Sequence, residues 1–334
     1  MKNNITYFVS EFLLSFKWWA EHSIYKKMIE DSETTYKCFT FDNTLDEWVI
    51  HEKNIIVYNY HFPIFLGFSR FWTLLLNYWK IIAIVKTYIP NNSVVWSQSL
   101  IVPYISNVLR KKDCKNTYFL RDELQLNEFH NYEVWARKYL KYIKNIVEFF
   151  PIFLYKYLNK KALEQSHKII SNSFFIHDLL FKKYALNSKV EYPEIDLDKF
   201  RKCRLEKANQ KYITFIWVWN AMKGDDIALE IAAKLRKKEF LFIWSDAEFK
   251  KWNIHYIPWQ KDILEVYKQT NILIVPSRWK EAYWRIVIEA QSLWIKVIVS
   301  DRGWLREALN NENKNNYIAD IRDIKLWVDK IINN

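Results

Sequence analysis

The chain has 334 residues, 50% of them hydrophobic and 26% charged, which excludes an intrinsically disordered chain and leaves room for two domains with cores of their own. A net charge of +12 favours acidic partners, whether nucleotides, nucleic acid or an anionic membrane surface, and is equally compatible with a merely solubilising surface. Three isolated cysteines, Cys38, Cys114 and Cys203, form no C-x-x-C pair, which fits a reducing cytosol and argues against a disulfide framework or a zinc site.

In chain order, the start MKNNITYFVSEF shows no long apolar core and no small-residue cleavage site, so a cytoplasmic protein without a signal peptide is expected. ITYFV (5–9) reads as a first strand, and SFKWWAEHSIYKKMIED leads from it into an amphipathic helix. IIVY (55–58) is a further strand. The most apolar stretch, FPIFLGFSRFWTLLLNYWKIIAIV, is interrupted by Arg70 and Lys80, and reads as a buried helix running into a following element rather than a membrane span. SVVW (93–96) and TYFL (117–120) are strands. The segment WARKYLKYIKNIVEFFPIFLYKYLNKKAL (135–163) is basic and aromatic; it reads as two helices parted at Pro151, either packed in the core or lying on an anionic membrane, the inner face of the plasma membrane being the candidate surface. KIIS (168–171) closes the first set of strands. EYPEIDLDKFRKCRLEKANQ (191–210) is charged and aperiodic. YITFI (212–216), FLFI (240–243), ILIV (272–275) and VIVS (297–300) then alternate with helical patterns such as DDIALEIAAKLRKK and RIVIEAQSL.

Continuous apolar strands separated by amphipathic helices indicate parallel sheets covered on both faces. The expected architecture is therefore α/β, with two Rossmann-like doubly wound domains facing across a cleft. The expected boundaries are 1–192 for a first domain, 193–210 for a linker, 211–320 for a second domain, and 321–334 for a C-terminal helix packing back on the first domain.

Glycine and tryptophan counts are both abnormal. Three glycines stand against 17 tryptophans, whereas roughly 23 glycines are expected at this length. Together the two types reach a near-normal glycine count, and the tryptophans sit where glycines belong. Trp18 and Trp19 precede a helix, Trp217 and Trp219 follow a strand, and Trp244 ends one. Trp284 opens a helix, Trp294 closes it at a C′ position, and Trp304 follows Gly303 after a strand. A stop codon read as glycine in the source organism (UGA recoding) and written as tryptophan would produce this pattern. The alternative is a genuinely tryptophan-rich basic protein. Trp259 and Trp279 lie in loops with no evident glycine requirement and read as genuine.

With those eight positions taken as glycine, the chain resembles the family 4 glycosyltransferases of GT-B fold. PSRWKEAYWRIVIEAQSLWIKVIVSDRGWLREAL (276–309) is similar to the family's E-x7-E segment, with Glu281 and Glu289 as its glutamates. FKWWAEHS resembles the N-terminal Gly-Gly-Ala-Glu loop, KIISNSFFIHDLL the end of the first domain, and NAMKGDDIALEIA the Lys-Gly segment opening the second. The resemblance implies a retaining transfer of a hexose from a nucleotide-diphosphate sugar to a glycan or lipid-linked acceptor, in cell envelope polysaccharide synthesis, with no metal and no cofactor beyond the donor. Lys223 and Glu281 become the candidate catalytic pair, Glu281 on the sugar hydroxyls and Lys223 on the diphosphate. Glu289 becomes the candidate ribose ligand. Trp217, Tyr283, Trp284, Arg285 and Ile286 surround the diphosphate, where free N–H groups at a helix start hold phosphate oxygens, with Trp18 and Trp19 opposite.

Two departures stand out. The family's arginine five residues before the lysine is Val218 here, so Arg285 is expected to supply the missing charge and joins the catalytic candidates. The family's first-domain histidine is replaced by Arg121 and Asp122 in TYFLRDELQ, which, with Glu21 and His22, are the acceptor-side candidates. Asp196-Leu197-Asp198 spells a metal-binding D-x-D but lies in the expected linker, and the seven histidines show no ligand spacing, so no metal is implied. Other GT-B activities, an epimerase or an inverting transferase, remain open at this point. So does a non-enzymatic nucleic-acid-binding protein, although the tryptophans follow turns rather than interleaving with Lys and Arg.

Overall fold

The computed structural model describes residues 4–14, 19–44, 49–62, 70–126, 138–203, 209–217, 221–260 and 262–333, with the backbone alone at 19, 20, 124 and 138–148. It falls into two units, Met1–Glu194 and Ile195–Asn334.

The first unit runs β1 (Asn4–Val9), α1 (Trp19–Glu30), β2 (Thr34–Thr40), β3 (Val49–Glu52), β4 (Ile55–Asn59), α2 (Arg70–Leu76), α3 (Tyr78–Tyr88), β5 (Val94–Gln98), α4 (Val102–Lys111) and β6 (Lys115–Leu120). A 3-10 turn (Glu123–Leu126), α5 (Lys138–Gln165), β7 (Lys168–Ser171), α6 (Phe174–Tyr184) and β8 (Lys189–Val190) complete it. Its sheet has the order β3-β4-β2-β1-β5-β6-β7-β8, parallel except for the edge strand β3. The inner residues of β1 and β7 are buried on both faces, which is why these strands read as unbroken apolar runs. Tyr7, Val9, Phe39 and Val95 pack with α2–α5, while Phe8, Cys38, Val57 and Phe119 pack with Ile24 and Met28 of α1.

Two helical expectations change. The long apolar stretch breaks at Asn77 into α2 and α3; its residues 63–69 lie outside the described residues. α5 continues through Pro151 instead of dividing there. Proline deletes one helical hydrogen bond and crowds the carbonyl four residues back, at a cost of about 3 kcal/mol. Burial of Tyr155, Ala162 and Leu163 on the same helix, which packs along α4 and α2, offsets it.

The second unit comprises α7 (Asp198–Arg201), β9 (Tyr212–Ile216), α8 (Asp225–Lys234), β10 (Phe240–Ser245), β11 (Phe249–Lys251), β12 (Ile254–Pro258), α9 (Ile263–Gln269), β13 (Thr270–Val275), α10 (Arg285–Ser292), β14 (Lys296–Ser300), β15 (Tyr317–Ile318) and α11 (Ile324–Asn333). Its sheet order is β11-β12-β10-β9-β13-β14-β15, again parallel except at one edge, β11. Leaving out the antiparallel edge strands, both units show a Rossmann-like order, three strands built one way and the following ones the other, four of them in the first unit and three in the second. Each therefore has one crevice where the order reverses, β1/β5 in the first unit and β9/β13 in the second.

Part of the stretch expected as a linker is folded. Phe200 of α7 is buried with its ring 5.9 Å from that of Tyr267, and Lys199 pairs with Asp262 at 2.8 Å. The chain's end, expected to pack back on the first domain, buries Trp327 and Ile331 in the second unit's own core beside α8. Among the described residues no helix is long and apolar enough to cross a membrane.

Candidate active site

Ligands of open parallel sheets bind outside the carboxyl ends of the strands at the reversal point. In the second unit, the loops after β9 and β13 meet there. Gly224, at φ 79, ends the first loop and N-caps α8; a Cβ on it would lie 1.9 Å from the Pro276 carbonyl oxygen, so only glycine allows this approach. Arg278 binds the two loops together. Its guanidinium takes both carboxylate oxygens of Asp226, at 2.5 and 2.6 Å, and donates to the Ala221 carbonyl at 2.7 Å. Burial works to raise the Asp226 carboxyl, but the guanidinium outweighs it and holds the group below its usual range.

This frame presents Lys223. Its ammonium donates to Glu281 Oε1 at 2.6 Å, and Ser277 Oγ donates to the same oxygen at 2.8 Å. Glu281 is buried in the loop, not on a helix, and its backbone bridges in parallel to Gly303. Two indoles wall the ammonium: the Trp284 ring centroid is 3.9 Å from Nζ and that of Trp217 is 5.6 Å. Trp284 N-caps α10, whose first residues are Arg285 and Ile286. Trp304 donates its backbone N–H to the Glu281 carbonyl at 2.7 Å and rests its ring 4.3 Å from that of Tyr283.

One turn along α10, Arg285 lies 3.1 Å from Glu289, which also accepts from the Tyr267 hydroxyl at 3.0 Å. Burial pushes the Glu289 carboxyl up, against the opposing pull of Arg285 and Tyr267. The Tyr283 hydroxyl is likewise pushed up by burial, to about 12. Lys223, Glu281, Trp217, Tyr283, Trp284, Arg285, Ile286 and Glu289 thus share one end of one unit. Val218 and Trp219 lie outside the described residues, as does Trp18, and for Trp19 only the start of α1 is described.

In the first unit, Arg121 and Asp122 follow β6, their backbone N–H groups held by Gln125 Oε1 at 2.7 and 3.1 Å. The Arg121 guanidinium lies over the Phe119 ring at 5.2 Å, and burial lowers its pKa to about 10. Glu21 is buried in the first turn of α1, and His22 beside it is exposed. One polar pair of this unit is not legible in the sequence. Glu11, just past β1, takes Arg70 at 2.7 and 3.0 Å and the Leu100 N–H at 2.8 Å. Burial acts to lower the Arg70 pKa, but Glu11, with Asp122 and Glu21 behind it, holds it above the ordinary value. No motif joins residues 59 positions apart.

Of the positions read as glycine, Trp217, Trp244 and Trp294 have φ of 92, 84 and 63°, the left-handed region that favours glycine. Trp252, which the sequence reading passed over, joins them at 55° in the tight connection between β11 and β12. Trp284 has an ordinary extended backbone at φ −132° and is buried, and Trp304 is buried without a positive φ. The D-x-D pair is spent locally, Asp196 accepting the Asp198 N–H at 3.2 Å. Among the described residues no group of three or more His, Cys, Asp or Glu is placed to hold a metal.

Residues 196–333 match the family model described as glycosyl transferases group 1, a span that coincides with the second unit. Among solved structures, sucrose-phosphate synthase from Thermosynechococcus elongatus is similar with a TM-score of 0.71 at 13% identity, over 99% of this chain and 89% of that one. A glycosyltransferase from Rickettsia africae scores 0.64 at 18% identity, covering 100% and 88%. The Anabaena protein HepE, solved in complex with UDP, scores 0.66 at 13%, covering 99% and 90%. A comparison with curated proteins gives no match. Fold and domain together define a glycosyltransferase of GT-B type.

Proposed function

We propose that this glycosyltransferase is a retaining enzyme of the family 4 kind, cytoplasmic and independent of metal, moving a hexose from a nucleotide-diphosphate sugar to a glycan or lipid-linked acceptor of the cell envelope. The observation that carries the reading is the Lys223–Glu281 pair, at the reversal crevice of the second unit and beside the N-terminus of α10. As the sugar–phosphate bond breaks, negative charge grows on the departing diphosphate. An ammonium at Lys223 and N–H groups of Arg285 and Ile286 at a helix start are the groups that stabilise it. Glu281 orients sugar hydroxyls and Glu289 the ribose, with Arg285 standing in for the cation absent at Val218. Glu21, His22, Arg121 and Asp122 are assigned to the acceptor.

The same reading requires glycine at the tryptophans that crowd this crevice. Side chains at 217 and 284 enclose the ammonium, and an indole at φ 92° is a conformation that glycine adopts without strain. Intact mass of the protein from its native source tests the substitution directly. Activity is tested on the chain with glycine at 18, 19, 217, 219, 244, 284, 294 and 304, by mass-detected turnover over a panel of nucleotide sugars and NMR of the product anomer. Transfer with retention is expected, and Lys223→Ala should lower turnover by about a hundredfold or more. An inverted product, or conversion of the donor without an acceptor, would replace the reading by an inverting transferase or an epimerase.

A further inference from the structure

We propose that Tyr267 is a positioning residue, its hydroxyl holding Glu289 ready for the two hydroxyls of the donor's ribose, a role that rests on the ribose site proposed above. Tyr267 stands in the last turn of α9, just ahead of β13, and is fully buried, with its ring 5.9 Å from that of Phe200. Its hydroxyl oxygen lies 3.0 Å from Glu289 Oε2 and 3.4 Å from the Ile286 carbonyl oxygen, both on α10. A hydroxyl has one hydrogen to give, and the shorter contact, to a charged acceptor, takes it. Burial first, and then the neighbouring Glu289 charge, push this hydroxyl well above its ordinary range, so it stays protonated and remains a donor.

Glu289 is itself buried, and each of its oxygens has one partner among the described residues: Oε1 takes Arg285 at 3.1 Å and Oε2 takes Tyr267. An ionised carboxylate accepts about four hydrogen bonds, two on each oxygen. One place therefore remains on Oε1 and one on Oε2, and a ribose offers two adjacent hydroxyls. The two partners differ in origin. Arg285 belongs to the carboxylate's own helix, one turn back, whereas Tyr267 reaches it from α9 and so ties it to the body of the unit. Burial pushes the Glu289 carboxyl up, while Arg285, the Tyr267 hydroxyl and, at longer range, Lys199 of α7 favour its charged form. The Tyr283 hydroxyl, the other titratable group facing it, is held protonated by burial. Without the Tyr267 hydroxyl, the carboxylate loses both a fixed orientation and part of what keeps it charged.

The test uses the full chain with glycine at the eight positions given above, with and without Tyr267→Phe, which keeps the buried ring and removes the hydroxyl; thermal melting checks the fold. UDP and GDP are each titrated by calorimetry beside their 2′,3′-dideoxy forms. Loss of a buried hydrogen bond to a charged group predicts that Tyr267→Phe weakens the tighter-binding ribonucleotide by about ten- to a hundredfold. Its dideoxy form should bind the variant and the parent alike, and in turnover the loss should fall on the donor KM and leave kcat unchanged. The acid limb of ribonucleotide binding should also move to higher pH, since Glu289 without the hydroxyl takes up a proton more readily. Equal loss of both forms would reduce the contact to packing and overturn the role, as would an unchanged ribonucleotide affinity; either result leaves the donor site standing. A folded parent that binds neither nucleotide would remove the donor site and the role together.

Discussion

An indole at positive φ is costly unless its ring repays the strain. For an L-residue the left-handed region costs about 1–2 kcal/mol, whereas glycine pays nothing for the missing Cβ clash. Trp294 gains nothing in return: it stands at the C′ position of α10 with 76% of its surface exposed. Its N–H donates to the Gln291 carbonyl and that of Ile295 to Ala290, so the helix end is already satisfied by backbone alone. Trp294→Gly should therefore raise stability by about 1 kcal/mol, read as a higher midpoint in urea with an unchanged slope. Gly303 marks the opposite case. A Cβ there would lie 2.5 Å from the Glu281 carbonyl oxygen, so glycine at 303 lets the chain approach the backbone of the candidate catalytic residue.

At the scale of elements, the first unit is closed by a charge contact between its first helix and its last strand. Glu191, just past β8, takes Lys27 of α1 at 2.8 Å and Lys189 at 2.9 Å. Burial works to raise this carboxyl, but the two ammonium groups prevail and bring it to about 2, from an ordinary 4.5. A carboxyl depressed in the folded state adds stability that is complete above its unfolded value and disappears as the pH falls through the folded one. Allowing for solvent screening of a partly exposed group, Glu191→Gln should cost about 1 kcal/mol at neutral pH. The difference from the parent should shrink between pH 4.5 and about 2, as chemical denaturation across that range would record.

The whole molecule is strongly basic, with a net charge of +12, and α5 offers that charge a hydrophobic companion. Phe149, Phe153 and Tyr157 recur every four residues and are 70, 62 and 53% exposed, with Lys156, Lys160 and Lys161 on the same helix. Exposed aromatics beside lysines suit the interface of an anionic bilayer. Co-sedimentation with phosphatidylserine vesicles is expected, falling with added salt and with Phe149→Ser/Phe153→Ser. Binding indifferent to anionic lipid and to salt would overturn the expectation of a peripheral membrane contact.

Local pattern alone determined much of this protein. Strands such as YITFI and VIVS are legible because burial on both faces leaves unbroken apolar runs, and the β-α alternation fixes parallel sheets. Several of the tryptophans the sequence places at turns and helix ends, Trp217, Trp244 and Trp294, stand on left-handed backbone, the conformation that favours a residue without a Cβ. β2 was missed because TTYKCFT mixes threonine and lysine into a strand that only its sheet neighbours bury. Pro151 misled because tertiary packing along α4 outweighs a local helix-breaking preference. The sequence names Lys223 and Glu281 but not their contact, across 58 residues, nor the alignment of Trp217, Trp244 and Trp259 from three strands. Strand order and the close backbone approach at Gly224 and Gly303 create those contacts, and both arise only when the sheet assembles.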